Sequence, residues 1–233
     1  MCPLEAWLPD ATLQAIAAEN NLPETAFYVR EGEAYRLRWF TPTVEVELCG
    51  HATLASGFVL LKQPGEVRFL TRSGTLAVRR DGDLLTLDLP ALPAQPMEAP
   101  PALAAGLGVV PREILRAPNW LAVLEDQAAV RAVKPDFARL VTLHPFGVIV
   151  TAPGREVDFV SRFFGPSFGI PEDPVTGSAH CTLAPYWSAR LGKKTLTARQ
   201  LSARGGELVC EDRGARVALT GRCVLYLEGE IRI

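Results

Sequence analysis

The chain has little with which to hold a metal or a redox cofactor. Its three histidines, His51, His144 and His180, lie outside any HExxH pattern or zinc-spaced cysteine cluster. Five cysteines, at 2, 49, 181, 210 and 223, form no CxxC pair, and an odd number cannot all be paired within one chain. They read as reduced thiols of a cytoplasmic protein. The GxGxxG and GxxxxGK fingerprints are missing, so a dinucleotide or P-loop site is not expected. Net charge is also scarce, at −2, which leaves no electrostatic footprint for nucleic acid. Apolar runs such as Ala52–Leu61 and Phe146–Val150 are too short to cross a bilayer. The opening MCPLEAWLPD has no basic segment before an apolar core, so a secretory signal is not expected.

What the chain does have is the 48% apolar and 21% charged composition of a globular protein, and enough length for one unit or two small domains. Asp10 leads a helical pattern to Asn20, with Leu13, Ile16 and Ala17 on one face and an acid at the start. TAFYVR and YRLRWFTP alternate around the turn at Glu31–Glu33, as a hairpin does. After Cys49-Gly50-His51 comes a helix near Ala52–Leu61 that is apolar almost all round, so it is expected to be enclosed by sheet. VRFLT, TLAVRR and LLTLDLP follow as strands around Ser73-Gly74 and Asp81-Gly82. Five prolines between Leu89 and Pro101 mark a crossover between lobes, since proline cannot donate to a ladder. WLAVL, GVIVTAP and DFVSRFFGP are the strands beyond it.

The order of elements then repeats. WFTP, ELCGHATLASGFVLL and FLTRSGTLAVRR are echoed by RFFGP, EDPVTGSAHCTLAPYWSARL and QLSARGGELVC. Phe40 and Phe164 are 124 residues apart, Gly50 and Gly177 are 127, and Gly74 and Gly205 are 131. Matched order at a near-constant offset points to a duplication. If the halves are related by a pseudo-two-fold axis, two glycine-led helix N-termini face one cleft. Each offers free N–H groups and partial positive charge, so the pair would bind a small carboxylate.

Several side chains near those turns carry chemical potential. Asp173, just ahead of the second glycine, is either an N-cap, with Pro174 at the first helical position, or a general acid/base, and spacing leaves both open. His51 at the matching turn is structural or catalytic, and a helix N-terminus there favours its neutral form. Cys49 could act as a nucleophile or base if the helix lowered its pKa, but Thr176 and Ser178, with no cysteine, flank Gly177, which disfavours a two-thiol mechanism. His180 lies within the helix as a core or interface residue. Ser178 is outside any GxSxG elbow, so a hydrolase is the weakest reading. From composition alone Glu24 is a solvated acid at a strand edge.

NLPETAF (Asn21–Phe27), RWFTPTVEVELCGHAT (Arg38–Thr53), TRSGTLAV (Thr71–Val78) and, above all, SRFFGP with GIPEDPVTGSAHC (Ser161–Cys181) resemble the PhzF-like phenazine-biosynthesis family, within the diaminopimelate-epimerase-like fold. The resemblance runs end to end. It implies an α/β (α+β) protein of two pseudo-symmetric lobes, each a barrel-like, mostly antiparallel sheet around a central helix, with residues 1–92 as the N-terminal lobe and 93–233 as the C-terminal lobe. It further implies a cofactor-free and metal-free isomerase, commonly homodimeric, moving protons by acid/base chemistry on a small carboxylic acid. By the same resemblance Glu24 becomes the principal base, His51 and Asp173 become cleft residues, and Gly50, Thr176, Gly177 and Ser178 bind the substrate carboxylate. Family members usually open with a strand and a GNPxAV segment ahead of the equivalent of CPLEAWLPD. By that comparison this chain starts about twenty residues later, which predicts an open sheet edge and a cleft short of one loop. The alternative function is a catalytically impaired protein that still binds small carboxylates.

Overall fold

Two long crossovers, each passing through one glycine-led helix, organise a computed structural model that describes residues 1–232. In chain order the first half contains β1 (Cys2–Leu4), α1 (Asp10–Asn20), β2 (Thr25–Glu31), β3 (Ala34–Phe40), β4 (Glu45–Val46), α2 (Gly50–Leu60), β5 (Gly65–Thr71), β6 (Gly74–Asp81) and β7 (Leu84–Pro90). The second begins with β8 (Gln95–Pro96), α3 (Pro101–Leu107), β9 (Glu113–Arg116), β10 (Trp120–Val123), α4 (Gln127–Ala132) and α5 (Phe137–Leu140). It continues through β11 (Val148–Pro153), β12 (Phe159–Gly165), β13 (Ile170–Asp173), α6 (Gly177–Leu191), β14 (Thr195–Gln200), β15 (Gly206–Asp212) and β16 (Arg216–Gly221). The described strands join in the order β1-β2-β3-β5-β6-β7-β16-β15-β14-β12-β11-β10-β9-β8, with β4 added to β3 and β13 to β12. The pairing is mostly antiparallel, and β1 and β8 are the edges. Among the described residues no helix is long and apolar enough to cross a membrane.

The repeat read from sequence is present in the pairing. β3 runs parallel to β5 across α2, and β12 runs parallel to β14 across α6. A short strand is added antiparallel to the first strand of each unit, so that Phe40 faces Glu45 and Phe164 faces Glu172. Each unit also carries the same ion pair. Arg38 makes two hydrogen bonds to Glu45, of 2.8 and 2.9 Å, and Arg162 two to Glu172, of 2.7 and 2.9 Å, with each guanidinium over the phenylalanine two residues on. Glu172, the first acid of the PEDP segment, is thus a structural partner. Both members of its pair are mostly out of water, so leaving either alone costs more than at a surface. We expect Glu172→Gln to lower stability by about 1–3 kcal/mol, and a urea double-mutant cycle with Arg162→Met to return a coupling of similar size. Additive losses would show that the pair contributes nothing of its own.

Other expectations meet local physics. α1 has the predicted bounds and buries Leu13 and Ala17 against Phe27 and Phe40, but Asp10 does not cap it. Pro9 is the N-cap, and Asp10 accepts instead from Arg38 at 2.9 Å. α2 is covered rather than enclosed. Its small residues Ala52, Thr53, Ser56 and Gly57 are the buried ones, while Leu54, Phe58 and Leu60 are only partly covered. The proline-rich segment is tied down as well as crossing over, since Ala91 N–H donates to Ala215 O and Leu92 N–H to Cys181 O. α6 buries most of its length. Its Trp187 stacks on Phe159 at 5.9 Å and donates through Nε1 to Thr151 at 3.0 Å. One continuous apolar core joins residues from both halves, from Tyr28 and Leu37 to Leu196 and Cys210.

Candidate active site

The N-termini of α2 and α6 touch. A Cβ placed on Gly50 would lie 2.7 Å from the Cα of Gly177, and one on Gly177 would lie 2.7 Å from the Cα of Gly50. Neither glycine has positive φ, so the requirement for glycine here is close approach of two backbones and not turn geometry. Neither helix uses a side chain to cap itself. Cys49 and Thr176 are the N-caps, both with extended backbone, and neither makes a side-chain cap bond. The first-turn N–H groups of both helices are therefore left for another acceptor, and the two dipoles add their positive ends at one place.

His51, in the first turn of α2, bridges the halves of the chain. Its Nδ1 lies 3.1 Å from the carbonyl of Val175, and its Nε2 lies 2.8 Å from Glu24 Oε2. The second contact is close without being aligned: Glu24 Oε2 is buried and has no hydrogen-bond partner. Burial disfavours the imidazolium, but the Cys49 sulfur and the Glu24 carboxylate overcome it and raise the pKa well above the ordinary value. Burial pushes the Cys49 thiol itself up to about 12, so at neutral pH the sulfur is uncharged and the carboxylate is the group that retains the proton on His51. Two expectations are corrected. The surroundings of His51 push its pKa up, where the helix dipole alone would push it down, and burial raises the Cys49 thiol, where activation as a nucleophile needs it lowered.

Asp173 is not the N-cap of α6, which corrects one of the two readings left open. It ends β13, paired opposite Phe163, and Thr176 takes the cap position. The Thr176 hydroxyl donates to Asp173 Oδ2 at 2.6 Å, while Asp173 Oδ1 is buried without a partner. Burial raises the Asp173 pKa to about 6, against the pull of the nearby His51 charge and with the push of Glu24. The native carboxyl thus binds its proton more tightly than the unfolded one. Its contribution to stability is full below about 3.8 and is lost as pH rises through about 6. Asp173→Asn should therefore stabilise the protein by up to about 3 kcal/mol at pH 8 and by nothing at pH 3.5, read from urea midpoints across that range. An equal gain at both ends would mean that Asp173 is not a strained buried acid.

Ser178 follows Gly177 on α6 and is half-buried. His180 is fully buried, with Nδ1 2.8 Å from Thr176 O, and burial lowers its pKa to about 4, so it is a neutral core histidine as its place in the helix predicts. A cavity of about 710 Å³ opens on the two helix termini, with Gly50, His51, Val175, Gly177 and His180 in its wall, while Glu24 and Asp173 are outside that lining. Among the described residues, Glu24, Cys49 and His51 bring one possible metal-ligand atom each within 4.8 Å of the others. Both nitrogens of His51 already face oxygen acceptors and the thiol is protonated, so the set suits a shared proton better than a cation. Sequence reasoning missed the Val175 carbonyl, for which no sequence signal exists, and Gln200. The signal for Gln200 was available, since in TLTARQ it continues the inward register of Leu196 and Ala198, where a polar side chain needs buried partners.

Comparison with known proteins gives the arrangement a context. Residues 1–229 match the family model described as "Phenazine biosynthesis-like protein". The chain belongs to the phenazine biosynthesis-like family. An uncharacterized isomerase of Pseudomonas aeruginosa is 52% identical over 100% of this chain and 92% of its own length. The human phenazine biosynthesis-like domain-containing protein is 37% identical over 99% and 92%. The crystal structure of a PhzF-family phenazine biosynthesis protein from Enterococcus faecalis superposes with a TM-score of 0.91 at 46% identity, covering 99% of this chain and 91% of that one. A hydroxyproline epimerase from Agrobacterium vitis, at 14% identity and a TM-score of 0.58, shares the fold. The mixed α/β fold with its large, mostly antiparallel sheet is thus shared with PhzF-family and epimerase-like structures.

Proposed function

We propose that this protein is an isomerase that moves a proton between two carbons, or two faces of one carbon, of a small carboxylic acid without a cofactor. The observation that carries the proposal is the meeting of two uncapped helix N-termini beside the Glu24–His51 pair and the partnerless Asp173 oxygen. Relatives named as isomerases support the reaction class. The free N–H groups of Gly50, Gly177 and Ser178 hold the substrate carboxylate, whose charge the paired dipoles stabilise most as negative charge grows on the adjacent carbon. Glu24 takes the proton from that carbon, with His51 Nε2 2.8 Å away holding the side chain in place. Asp173, titrating near 6, supplies a proton to the other position and is reset from solvent. Two carboxyls in unlike settings can thus act as base and acid at the same pH.

The test is a thermal-shift screen of small cyclic acids and amino acids, followed by turnover of each ligand in heavy water. Ligands that raise the melting temperature should gain one deuterium at a carbon near the carboxylate. Stabilising ligands that never exchange would overturn the isomerase reading and leave a carboxylate-binding protein.

A further inference from the structure

Below the helix termini, Gln200 and Thr176 form a hydrogen-bond chain that ends on the carboxyl of Asp173. Gln200 is fully buried at the end of β14. Its Oε1 accepts from the Thr176 N–H at 2.8 Å, and its Nε2 donates to the Asp173 carbonyl at 2.7 Å and to Thr176 Oγ1 at 3.1 Å. A threonine hydroxyl has one hydrogen to give. Because Oγ1 accepts from Gln200 and lies 2.6 Å from Asp173 Oδ2, that hydrogen is directed onto the carboxylate. The turn between them is also fastened from the loop after β14, since Ser202 Oγ donates to Pro174 O at 2.8 Å.

We propose that Gln200 is a positioning residue of the isomerase site: through Thr176 it fixes the orientation and the proton affinity of Asp173, leaving Oδ1 as the only oxygen of that carboxyl free to face a substrate. Three buried bonds to one turn are more than packing requires, and they explain why Thr176, placed where a threonine ordinarily caps a helix, turns its hydroxyl away from the helix. In a chain of this kind each bond polarises the next, so the donor at the far end strengthens the bond at the carboxylate. The inference rests on Asp173 belonging to the proton-transfer site. The groups that bear on Asp173 electrostatically are His51 on α2, Glu24 ahead of β2 and Arg204 on the loop after β14, and Gln200 adds no charge to them.

The test reads Asp173 directly and needs no substrate. The carboxyl is followed by NMR in protein labelled at aspartate 13Cγ, with Asp173→Asn giving the assignment. Gln200→Met and Thr176→Val should each move the Asp173 midpoint upward by about half a pH unit or more, a roughly threefold gain in proton affinity, because a donor to the charged form is lost. The double variant should move it no further than Thr176→Val alone, and Thr176→Ser, which keeps the hydroxyl, should leave it in place. A midpoint unmoved in Gln200→Met, or additive shifts in the double variant, would reduce Gln200 to packing. If Gln200→Met fails to fold, an unmoved midpoint in Thr176→Val overturns the chain by itself. Failure of the isomerase assignment would show instead as absent deuterium exchange with these titrations intact.

Discussion

Replacing Gly50 or Gly177 with alanine should separate the two central helices and cost the protein both stability and function. The added Cβ would sit 2.7 Å from the facing Cα, with the carbonyl carbon or nitrogen of that residue at 3.4–3.5 Å. Backbone cannot swing aside as a side chain can, so one helix must retreat. Overpacking of this kind costs about 1–3 kcal/mol, and this contact stands at the upper end because both neighbours are main chain. Gly57 offers the control. A Cβ there meets Val78 at 2.4 Å, but through side-chain atoms able to shift, so Gly57→Ala should cost less at equal or closer approach. Function should suffer further, because a displacement near 1 Å at a reacting site can cost about a hundredfold. Urea unfolding and heavy-water exchange check the two parts. A Gly50→Ala protein with wild-type midpoint and exchange rate would mean that the helices do not meet.

Glu24→Gln should have the larger effect on chemistry and a small one on fold. The amide keeps the shape of the carboxyl but cannot take a proton, so exchange of the substrate's carbon-bound hydrogen should fall by about 10²–10⁴-fold. The same change removes the anion that favours the imidazolium of His51, so the His51 titration should move down toward the ordinary imidazole range. A raised His pKa stabilises the native state fully below about 6.5, and that contribution fades as pH rises through the elevated native value. The variant should therefore lose stability below that window and converge with the wild type at high pH. Exchange at the wild-type rate would remove Glu24 as the base. A lost exchange with an unmoved His51 would keep the base and remove the pairing.

Much of the fold was legible in the sequence because the repeated elements are punctuated by strong local chemistry. Alternation in TAFYVR and YRLRWF, glycine at the turns of β5–β6 and β6–β7, and an unbroken small-residue run after Gly50 each act within a few residues. Capping was less legible. Asp10 and Asp173 both read as helix starts, yet each is claimed by a partner from elsewhere, Arg38 in one case and Thr176 in the other. In the PEDP segment adjacent acids point to opposite faces of β13, which sends Glu172 to Arg162 and Asp173 to the buried Thr176 hydroxyl.

By itself the sequence determined that two equivalent units exist, each with a helix that begins with glycine, and motif resemblance singled out Glu24, His51 and Asp173 as the candidates for chemistry. The tertiary structure alone shifts the proton affinities of His51 and Asp173. Whether His51 is an imidazole or an imidazolium depends on Glu24 and Val175 reaching it from 27 residues before and 124 after, and whether Asp173 titrates near 4 or near 6 depends on how much water the folded chain removes. Local sequence sets backbone conformation over a few residues. Proton affinity is set by burial and by charges a few ångströms away in space, which no local stretch of sequence contains.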